Sequence, residues 1–301
     1  GTKGKSTTSA LTYELLKKSY TVFLAGNIGK SPLDIIDNTD ANSLVVLELS
    51  SWQLEDMAPL QVAPHVGVVL NIYPDHFNLH ADMNDYVAAK KTIFHFQKTD
   101  DITLLNYDDE IVRHFFSEVP GEYRFFSASS RVKGVFIQEE HIYLNEGAEP
   151  LMNVSEAALK GKHNLSNICA ALSVAEFYKI RPKDMRLVLR SFKGIPYRQE
   201  FVREVHGIEF FNDTTATNPH ATIAALERFG PSLILIAGGV DKKLSYGELA
   251  SKIARSVKYL ILLPGSASEK IKSHLASFKS APSIEEADSM NEAVTSAFRY
   301  A

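Results

Sequence analysis

The chain has 301 residues, of which 45% are hydrophobic and 23% are charged, and its formal net charge at pH 7 is −4. This length allows about two domains with sizeable cores, and the weak negative charge offers no basic field to a nucleic acid or a membrane surface. The single cysteine, Cys169, excludes an internal disulfide, predicts a buried thiol and fits a reducing cytoplasm, and no apolar stretch reaches the roughly 20 residues of a membrane span.

The first part of the chain alternates between helical and strand-like segments, as is typical of an α/β domain. Apolar runs at 43–49 and 66–72 predict fully buried parallel strands, and each run ends in polar residues. Shorter pieces at 102–105, 134–138 and 141–144 are predicted to form the edge of the same sheet. The other elements predicted here are a strand at 22–24 and helices at 6–18, 85–96, 165–178 and 183–191.

A second α/β pattern follows a predicted linker at 193–196. Its strands are predicted at 207–211, 233–237 and 259–263, and its helices at 219–229, 247–256, 266–277 and 289–300. This alternation predicts a doubly wound sheet. The expected fold class is α/β, with a P-loop-type, mostly parallel sheet domain at 1–193 and a smaller Rossmann-like domain at 194–301. Because a phosphate-binding loop normally follows a strand, the first domain is expected to lack its first strand, and the second is expected to be truncated.

The chain opens in a glycine-rich segment, here called the phosphate loop, which consists of Gly1, Thr2, Lys3, Gly4, Lys5, Ser6 and Thr7. Glycines let backbone N–H groups approach phosphate oxygens, and the N-terminus of the following helix adds a favourable dipole. In such a loop Lys5 reaches the β- and γ-phosphates, and the hydroxyl of Ser6 binds Mg²⁺. The pattern predicts nucleotide binding, but by itself it indicates no particular reaction.

Polar side chains stand at the ends of the two apolar runs. Glu48 ends the first, and Asp75 and His76 follow the second. Ligands of open α/β sheets lie beyond the carboxyl ends of the strands, so Glu48 is predicted to hold Mg²⁺ and His76 to bind a metal or a phosphate. A helix cap or a salt bridge is the alternative for Glu48. Spacing alone predicts that Lys90 is a solvent-exposed lysine on the helix at 85–96.

Taken together, these motifs resemble the Mur ligase family, and within it the members that add D-glutamate. The resemblance covers almost the whole chain in order, with the motifs GTKGKST at residue 1, GNIG at 26, ELSSWQLE at 48, DH at 75, AAK at 88, GKHNLSN at 161, PYRQE at 196, NDTTATN at 212 and AGGVDK at 237. ELSSWQLE discriminates best, because other members of the family carry different residues there. The combination is highly specific, although no single motif is.

The resemblance implies roles for individual side chains. Ser6 and Glu48 hold one Mg²⁺ together with the phosphates of ATP, and His76 and a carbamylated Lys90 hold or bridge a second. A carbamate is an anion that suits a hard cation, whereas an ammonium group would be repelled by it. Lys242 pairs with the carboxylate of the acceptor and completes an implied catalytic set with Lys5, His76 and Lys90. The nucleotide-binding residues implied beyond the phosphate loop are Asn164, Asn167, Arg198 and Asp213.

Two positions depart from the family pattern. Lys3 stands where an asparagine is common, and Thr215 stands where some members that add D-glutamate have a lysine. The family's N-terminal uridine-nucleotide-binding domain and its C-terminal acceptor-binding segment are expected to be absent from this sequence. The identity of the acceptor therefore depends mainly on the ELSSWQLE motif, and residues 1–301 alone are expected to be inactive.

The resemblance implies an ATP-dependent ligase that adds D-glutamate to UDP-N-acetylmuramoyl-L-alanine through an acyl phosphate, a step of peptidoglycan precursor synthesis. The expected partners are these small molecules, with no nucleic acid and no membrane, and the enzyme is expected to be a cytoplasmic monomer. Three alternatives stay open. They are a sibling ligase such as folylpolyglutamate synthase or another Mur enzyme, a P-loop kinase or GTPase, and a non-catalytic nucleotide-binding module.

Overall fold

The structure is a computed structural model that describes residues 1–28, 30–73, 80–145, 149–231, 233–241 and 243–301, and only the backbone of His163, His220 and Ala224. The residues of the sequence-predicted motifs that lie outside the described part are Gly29, Asp75, His76 and Lys242. The chain divides into two compact units, Gly1–Ile195 and Pro196–Ala301. Among the helices that the structure describes, none has the length and apolar character needed to cross a membrane.

The first unit is a mixed α/β structure. Its described helices are α1 (Lys5–Leu16), α2 (Ser51–Met57), α3 (Met83–His95), α4 (Lys162–Phe177) and α5 (Pro182–Ser191). Its described strands are β1 (Val22–Gly26), β2 (Leu44–Glu48), β3 (Val66–Val69), β4 (Ile102–Asn106), β5 (Glu122–Phe126), β6 (Phe136–Gln138), β7 (His141–Tyr143) and β8 (Met152–Asn153). Parallel pairing joins β1 to β2, and joins β3 to β4 and β4 to β5. The predicted α/β class with parallel strands is therefore confirmed.

The strands between β4 and β8 do not form one sheet edge. β4 lies between β3 and β5, whereas β6, β7 and β8 form a separate antiparallel sheet. Glu139 and Glu140 have positive φ angles of 48° and 61°, as in a two-residue hairpin turn, and this turn folds β7 back onto β6. The prediction of a shared edge was wrong because apolar patterning predicts that a strand forms but not which strand it pairs with.

Helices α1 and α4 supply much of the core of the first unit. Leu11 and Leu15 of α1 and Ile168 and Leu172 of α4 are completely buried in one cluster. Cys169 lies in the same cluster, which confirms the prediction of a buried thiol, and burial raises the pKa of that thiol. The helix that follows the phosphate loop is therefore anchored along its length by apolar packing.

A cavity of about 550 Å³ is bordered by both β2 and β3 and is here called the interstrand cavity. Among the described strands, β2 pairs only with β1 and β3 pairs only with β4. Val45 and Leu47 of β2 line the cavity and are 43% and 38% exposed. The prediction that this run is fully buried was therefore wrong for β2, because no described strand covers its second edge.

The second unit is also an α/β structure. Its described helices are α6 (Pro219–Phe229), α7 (Gly247–Ser256), α8 (Ser266–Leu275) and α9 (Met290–Tyr300), and its described strands are β9 (Glu200–Val205), β10 (Ile208–Asn212), β11 (Leu233–Gly238), β12 (Val257–Leu263) and β13 (Ser283–Glu286). Strands β11, β12 and β13 form a parallel sheet in that order. Leu260 and Leu262 pack among residues of α6, α7 and α8, and Ile261 packs with α9, so helices cover both faces.

Three strands of the second unit, the unpredicted β9 among them, differ from the prediction. The segment predicted at 207–211 pairs with β9 in an antiparallel hairpin and does not join the parallel sheet. The third parallel strand is β13, which the sequence did not reveal because its residues, Ser-Ile-Glu-Glu, contain no apolar run. Apolar periodicity finds strands that are buried on both faces more readily than short polar ones.

Candidate active site

The phosphate loop is shaped by Gly4. Its φ is 83°, in the left-handed region, and α1 begins at the next residue. A β-carbon at this position would lie 2.2 Å from Oδ1 of Asn167, so both the backbone angle and the close approach of α4 require a glycine. Lys5 is the first residue of α1, and its Nζ donates a hydrogen bond of 3.0 Å to the carbonyl oxygen of Thr2. The loop thus leads into a helix N-terminus, an arrangement suited to anions.

The phosphate loop is hydrogen-bonded to the segment that follows β3. The backbone N–H of Thr2 donates to the carbonyl oxygen of Asn71 at 2.8 Å, and the N–H of Lys3 donates to the Asn71 side chain at 2.8 Å. The N–H of Tyr73 in turn donates to Oγ1 of Thr2 at 3.1 Å. The carboxyl end of β3 therefore adjoins the loop. His76 comes three residues after Tyr73 and lies outside the described residues.

Glu48 is the last residue of β2 and is only 3% exposed. Its Oε2 atom is buried without a hydrogen-bond partner among the described residues. Because a buried carboxylate oxygen is costly unless it meets a donor or a cation, this atom fits a cation ligand better than a helix cap. Glu48 lines the interstrand cavity together with Gly1, Lys5 and Lys90. Three distant segments of the chain therefore bring predicted site residues to one cavity.

Lys90 is buried, with 3% exposure, so the exposed lysine that spacing alone predicted is wrong. Tyr86, Lys90 and Phe94 follow one another at intervals of four residues on the buried face of α3. The Nζ atom of Lys90 lies 4.2 Å from the centroid of the Tyr86 ring and donates a hydrogen bond of 3.4 Å to the carbonyl oxygen of Gly1. Lys90 therefore reaches the first residue of the phosphate loop.

Four charged side chains lie close to the first residue of the phosphate loop. Lys5 and Lys90 carry ammonium groups there, and Glu48 and Asp109 carry carboxylates. The start of the loop is therefore within electrostatic range of two positive and two negative side chains.

Asn164 and Asn167 are both 5% exposed and share one face of α4. The Nδ2 of Asn167 donates to Oδ1 of Asn164 at 3.0 Å, and its Oδ1 accepts a hydrogen bond of 3.3 Å from the hydroxyl of Thr8. The Nδ2 of Asn164 donates to the carbonyl oxygen of Lys160 at 2.7 Å. The pair thus connects the first two turns of α4 with the first turn of α1.

Arg198 and Asp213 belong to the second unit. The Asp213 carboxyl is half-buried, and burial raises its pKa, while the N–H of Gln199 and the guanidinium groups of Arg198 and Arg228 oppose the shift. The Gln199 N–H donates to Oδ1 of Asp213 at 3.0 Å. Arg198 itself is exposed. The two predicted residues therefore lie within electrostatic range of each other.

Comparison with known protein families shows to which family the chain belongs. Residues 1–175 match the family model described as the Mur ligase middle domain, and residues 197–301 match the model described as the Mur ligase glutamate ligase domain. The chain belongs to the Mur ligase family. The two matched ranges together cover most of the sequence, which agrees with the order of motifs from the phosphate loop to AGGVDK.

Curated relatives of this Mur ligase chain share one name. The UDP-N-acetylmuramoylalanine–D-glutamate ligase of Clostridium tetani is 42% identical over 267 residues, which cover 87% of this chain and 57% of the relative. The enzyme of that name from Acetivibrio thermocellus is 37% identical over 311 residues, covering 100% of this chain and 66% of the relative. The chain thus spans less than two thirds of the length of these two relatives.

Solved structures with the same fold are more distant in sequence. MurF from Acinetobacter baumannii superposes with a TM-score of 0.71 at 16% identity, covering 99% of this chain and 68% of that one. MurF from Thermotoga maritima, in complex with ADP, gives 0.63 at 22% identity, covering 100% of this chain and 77% of that one. At these identities the likeness establishes the Mur ligase fold alone.

Two residues of this Mur ligase chain were given no role by the sequence. Asn71 makes the paired contacts with Lys3 that fix the loop. Asp109 is 8% exposed, and its carboxylate accepts hydrogen bonds from the N–H groups of Ile72 and Val112 at 3.0 Å and 2.9 Å. A polar residue at the end of an apolar run was the available signal for Asn71, whereas the sequence offered none for Asp109.

Proposed function

We propose that the chain supplies the ATP-binding part of a ligase that adds D-glutamate to UDP-N-acetylmuramoyl-L-alanine. The name shared by the curated relatives supports this substrate pair. The meeting of Lys5, Glu48 and Lys90 at one cavity beside the phosphate loop is the structural observation that carries the proposal. We further propose that the whole enzyme acts as a monomer in the cytoplasm, in peptidoglycan precursor synthesis.

Mg²⁺ fits the donor atoms of this site. The buried Oε2 of Glu48 has no hydrogen-bond partner among the described residues, and carboxylate and hydroxyl oxygens are the ligands that Mg²⁺ prefers. We assign one ion to Ser6 and Glu48, and a second to His76 and a carbamylated Lys90. Bound divalent ions neutralise the charge that develops on a transferred phosphoryl group.

The burial of Lys90 supports its carbamylation. An ammonium group is costly to bury, and Lys90 is only 3% exposed. Conversion to a carbamate changes the charge from positive to negative and supplies oxygen atoms to a cation. The change therefore creates a metal ligand at a buried position.

The remaining residues bind and orient the substrates. Lys5 and the loop N–H groups hold the β- and γ-phosphates while the γ-phosphoryl group passes to the carboxylate of the muramoyl substrate, leaving ADP. The amine of D-glutamate then attacks the acyl carbon of this acyl phosphate, and inorganic phosphate departs. Lys242 pairs with a carboxylate of D-glutamate. The residues proposed to complete the nucleotide site are Asn164, Asn167, Arg198 and Asp213.

The domain assignment is part of the proposal. Residues 1–193 act as the central ATP-binding domain and residues 194–301 as the C-terminal domain of the ligase. The interstrand cavity supports a further parallel strand between β2 and β3, because both strands have an edge that no described strand covers. Such a strand would complete a P-loop-type sheet and end next to the phosphate loop.

The test is acceptor-dependent turnover by a full-length ligase that contains this chain. ADP formation should require UDP-N-acetylmuramoyl-L-alanine and D-glutamate together. Replacing D-glutamate by L-glutamate, L-lysine, meso-diaminopimelate or D-alanyl-D-alanine should abolish it, and a preference for any of these would instead indicate a sibling ligase. ATP consumption that is independent of the amino acid would contradict the proposal.

Calorimetry on residues 1–301 distinguishes a binding module from a ligase part. ATP with Mg²⁺ should bind the wild-type chain, and Lys5→Met should weaken binding, because the lysine carries the charge that meets the β- and γ-phosphates. Lys17→Met, at the exposed end of α1, is the matched control and should bind like the wild type. Equal ATP affinities for the wild type, Lys5→Met and Lys17→Met would show that the phosphate loop is not part of the nucleotide site.

A further inference from the structure

A second group of possible metal ligands lies outside the predicted nucleotide site. It consists of Glu55 on α2, His80 just before α3 and Asp85 in the first turn of α3, and is here called the acid–histidine cluster. Neither the matched family descriptions nor the proposed ligase chemistry gives these three side chains a role. Their ligand atoms all lie within 4.8 Å of one another.

His80 is the buried member of the cluster. Its side chain is 1% exposed, and its Nδ1 lies 3.6 Å from Oε1 of Glu55 and 3.6 Å from Oδ2 of Asp85. Both separations exceed the length of a hydrogen bond, and Nδ1 has no hydrogen-bond partner among the described residues. A buried ring nitrogen thus lies within ion-pair distance of two carboxylates without a hydrogen bond to either of them.

The second ring nitrogen of His80 is occupied. Nε2 lies 3.0 Å from Oγ of Ser51, and an Nε2–H that donates to this hydroxyl leaves the lone pair on Nδ1. Histidines that bind metals commonly have their other ring nitrogen held in this way, because the contact fixes the tautomer and the orientation of the ring. The carboxylate of Asp85 is also positioned, since its Oδ2 accepts a hydrogen bond of 3.0 Å from the N–H of Ala81.

Two of the three separations in the cluster match a coordinated ion. Ligand atoms about 2.0–2.2 Å from a tetrahedral Zn²⁺ stand roughly 3.3–3.6 Å apart, which agrees with the two separations from Nδ1, and the third separation, between the two carboxylates, is within 4.8 Å. One imidazole nitrogen and two carboxylate oxygens suit Zn²⁺ or Co²⁺, which bind imidazole more strongly than Mg²⁺ does. Glu55 and Asp85 are 45% and 47% exposed, so water can fill a remaining coordination position.

We propose that Glu55, His80 and Asp85 bind a divalent transition-metal ion of the Zn²⁺ class at a site separate from the Mg²⁺ sites. The ion links α2 to the first turn of α3. The His80 ring lies 5.0 Å from the ring of Tyr86, the residue against which Lys90 packs. Metal at the cluster therefore stabilises the part of α3 that carries Lys90.

Metal titration of residues 1–301 tests the site. The chain, freed of metal by a chelator, is titrated with Zn²⁺ by calorimetry in excess Mg²⁺, and Co²⁺ binding is followed by visible absorption. One ion per chain should bind, and Glu55→Gln and Asp85→Asn should each weaken binding by about tenfold or more. Because both carboxylates are half-exposed, these variants should fold, which circular dichroism verifies.

Two control variants test whether the measured Zn²⁺ binding occurs at the acid–histidine cluster. Asp56→Asn changes the exposed neighbour of Glu55 on α2 and should leave Zn²⁺ affinity unchanged. Glu48→Gln removes a proposed Mg²⁺ ligand and should also leave it unchanged, so failure of the ligase proposal does not affect this result. Absence of saturable binding near one equivalent, or wild-type affinity in both Glu55→Gln and Asp85→Asn, would overturn the proposal.

Discussion

The Oδ1 atom of Asn167 lies 2.2 Å from the point that a β-carbon on Gly4 would occupy. Gly4 precedes α1, and Asn167 lies in the second turn of α4, so two helices that are distant in sequence determine the shape of the phosphate loop together. The Oδ1 of Asn167 also accepts a hydrogen bond from the hydroxyl of Thr8, in the first turn of α1. The site therefore depends on packing between helices as much as on the glycine-rich sequence.

Gly4→Ala should disrupt both the loop and nucleotide binding. The left-handed backbone alone costs roughly 1–2 kcal/mol for a residue with a side chain, and the contact with Asn167 adds to that cost. We expect a lower thermal midpoint and an affinity for ATP reduced by at least about tenfold, which corresponds to 1.4 kcal/mol. Gly207→Ala is the control, because its φ is +81° but nothing lies within 4 Å of its added carbon. Gly207→Ala should lower the thermal midpoint through its left-handed backbone and should bind ATP like the wild type.

Glu48→Gln should have opposite effects with and without ligand. A buried carboxylate oxygen that lacks a hydrogen-bond partner among the described residues is unfavourable when no cation is bound, so in chelator the variant should be as stable as the wild type or roughly 1 kcal/mol more stable. With Mg²⁺ and ATP the wild type should gain more stability than the variant. Urea unfolding under both conditions measures this difference, with the exposed Glu14→Gln as control. A large loss of stability in chelator would show that Glu48 has a structural partner.

The elements best predicted from the sequence are those with local signals. Helix α6 begins as predicted because Asn218 caps it through the Ala221 N–H and Pro219 occupies its first turn, and it ends as predicted before Gly230, whose φ is 75°. Strand β13 was not predicted, since its four residues carry no apolar pattern and the strand is defined by pairing with β12. Local chemistry specifies where a helix starts, whereas the position of a polar strand depends on its neighbours.

The candidate site residues also differ in how well the sequence predicts them. The phosphate loop and Glu48 were predicted as site residues from a glycine-rich turn and a carboxylate at a strand end, both of which are features of short segments. Burial of Lys90 could not be predicted, because it depends on contact with Gly1, 89 residues earlier in the chain. The spacing of residues within one helix therefore cannot predict burial that depends on a contact with a distant part of the chain.

A carbamate at Lys90 predicts a specific spectroscopic signal. In ¹³C-enriched bicarbonate, the wild-type chain should show a carbamate carbon resonance that is lost in Lys90→Gln. The neighbouring Lys91 is paired with Glu118 at the surface, so Lys91→Gln should keep the resonance. In the full-length ligase, Lys90→Gln should lower kcat while Lys91→Gln does not. A resonance that persists in Lys90→Gln would place the modification elsewhere.

Cys169 should be unreactive in the folded chain. It is completely buried in the core beside α1, and burial raises the pKa of its thiol, so the thiolate that reacts with alkylating agents is scarce at any moderately alkaline pH. Iodoacetamide at pH 8 should label the native chain far more slowly than the urea-unfolded chain. Fast labelling under native conditions would indicate that α4 opens readily. If labelling is slow, its rate can serve as a probe of unfolding in the first unit.

The interstrand cavity should accept a sixth parallel strand when the residues for one are supplied directly before Gly1. Fusing five alternating valine and isoleucine residues directly before Gly1 should cover Val45 and Leu47 and supply hydrogen bonds to the free edges of β2 and β3. Fully burying two apolar side chains corresponds to roughly 3–6 kcal/mol, which should appear as a higher thermal midpoint. A glycine–serine extension of equal length is the control and should have no such effect. Equal midpoints for the two extensions would mean that the cavity does not receive a strand, and the proposed completion of the sheet would be wrong.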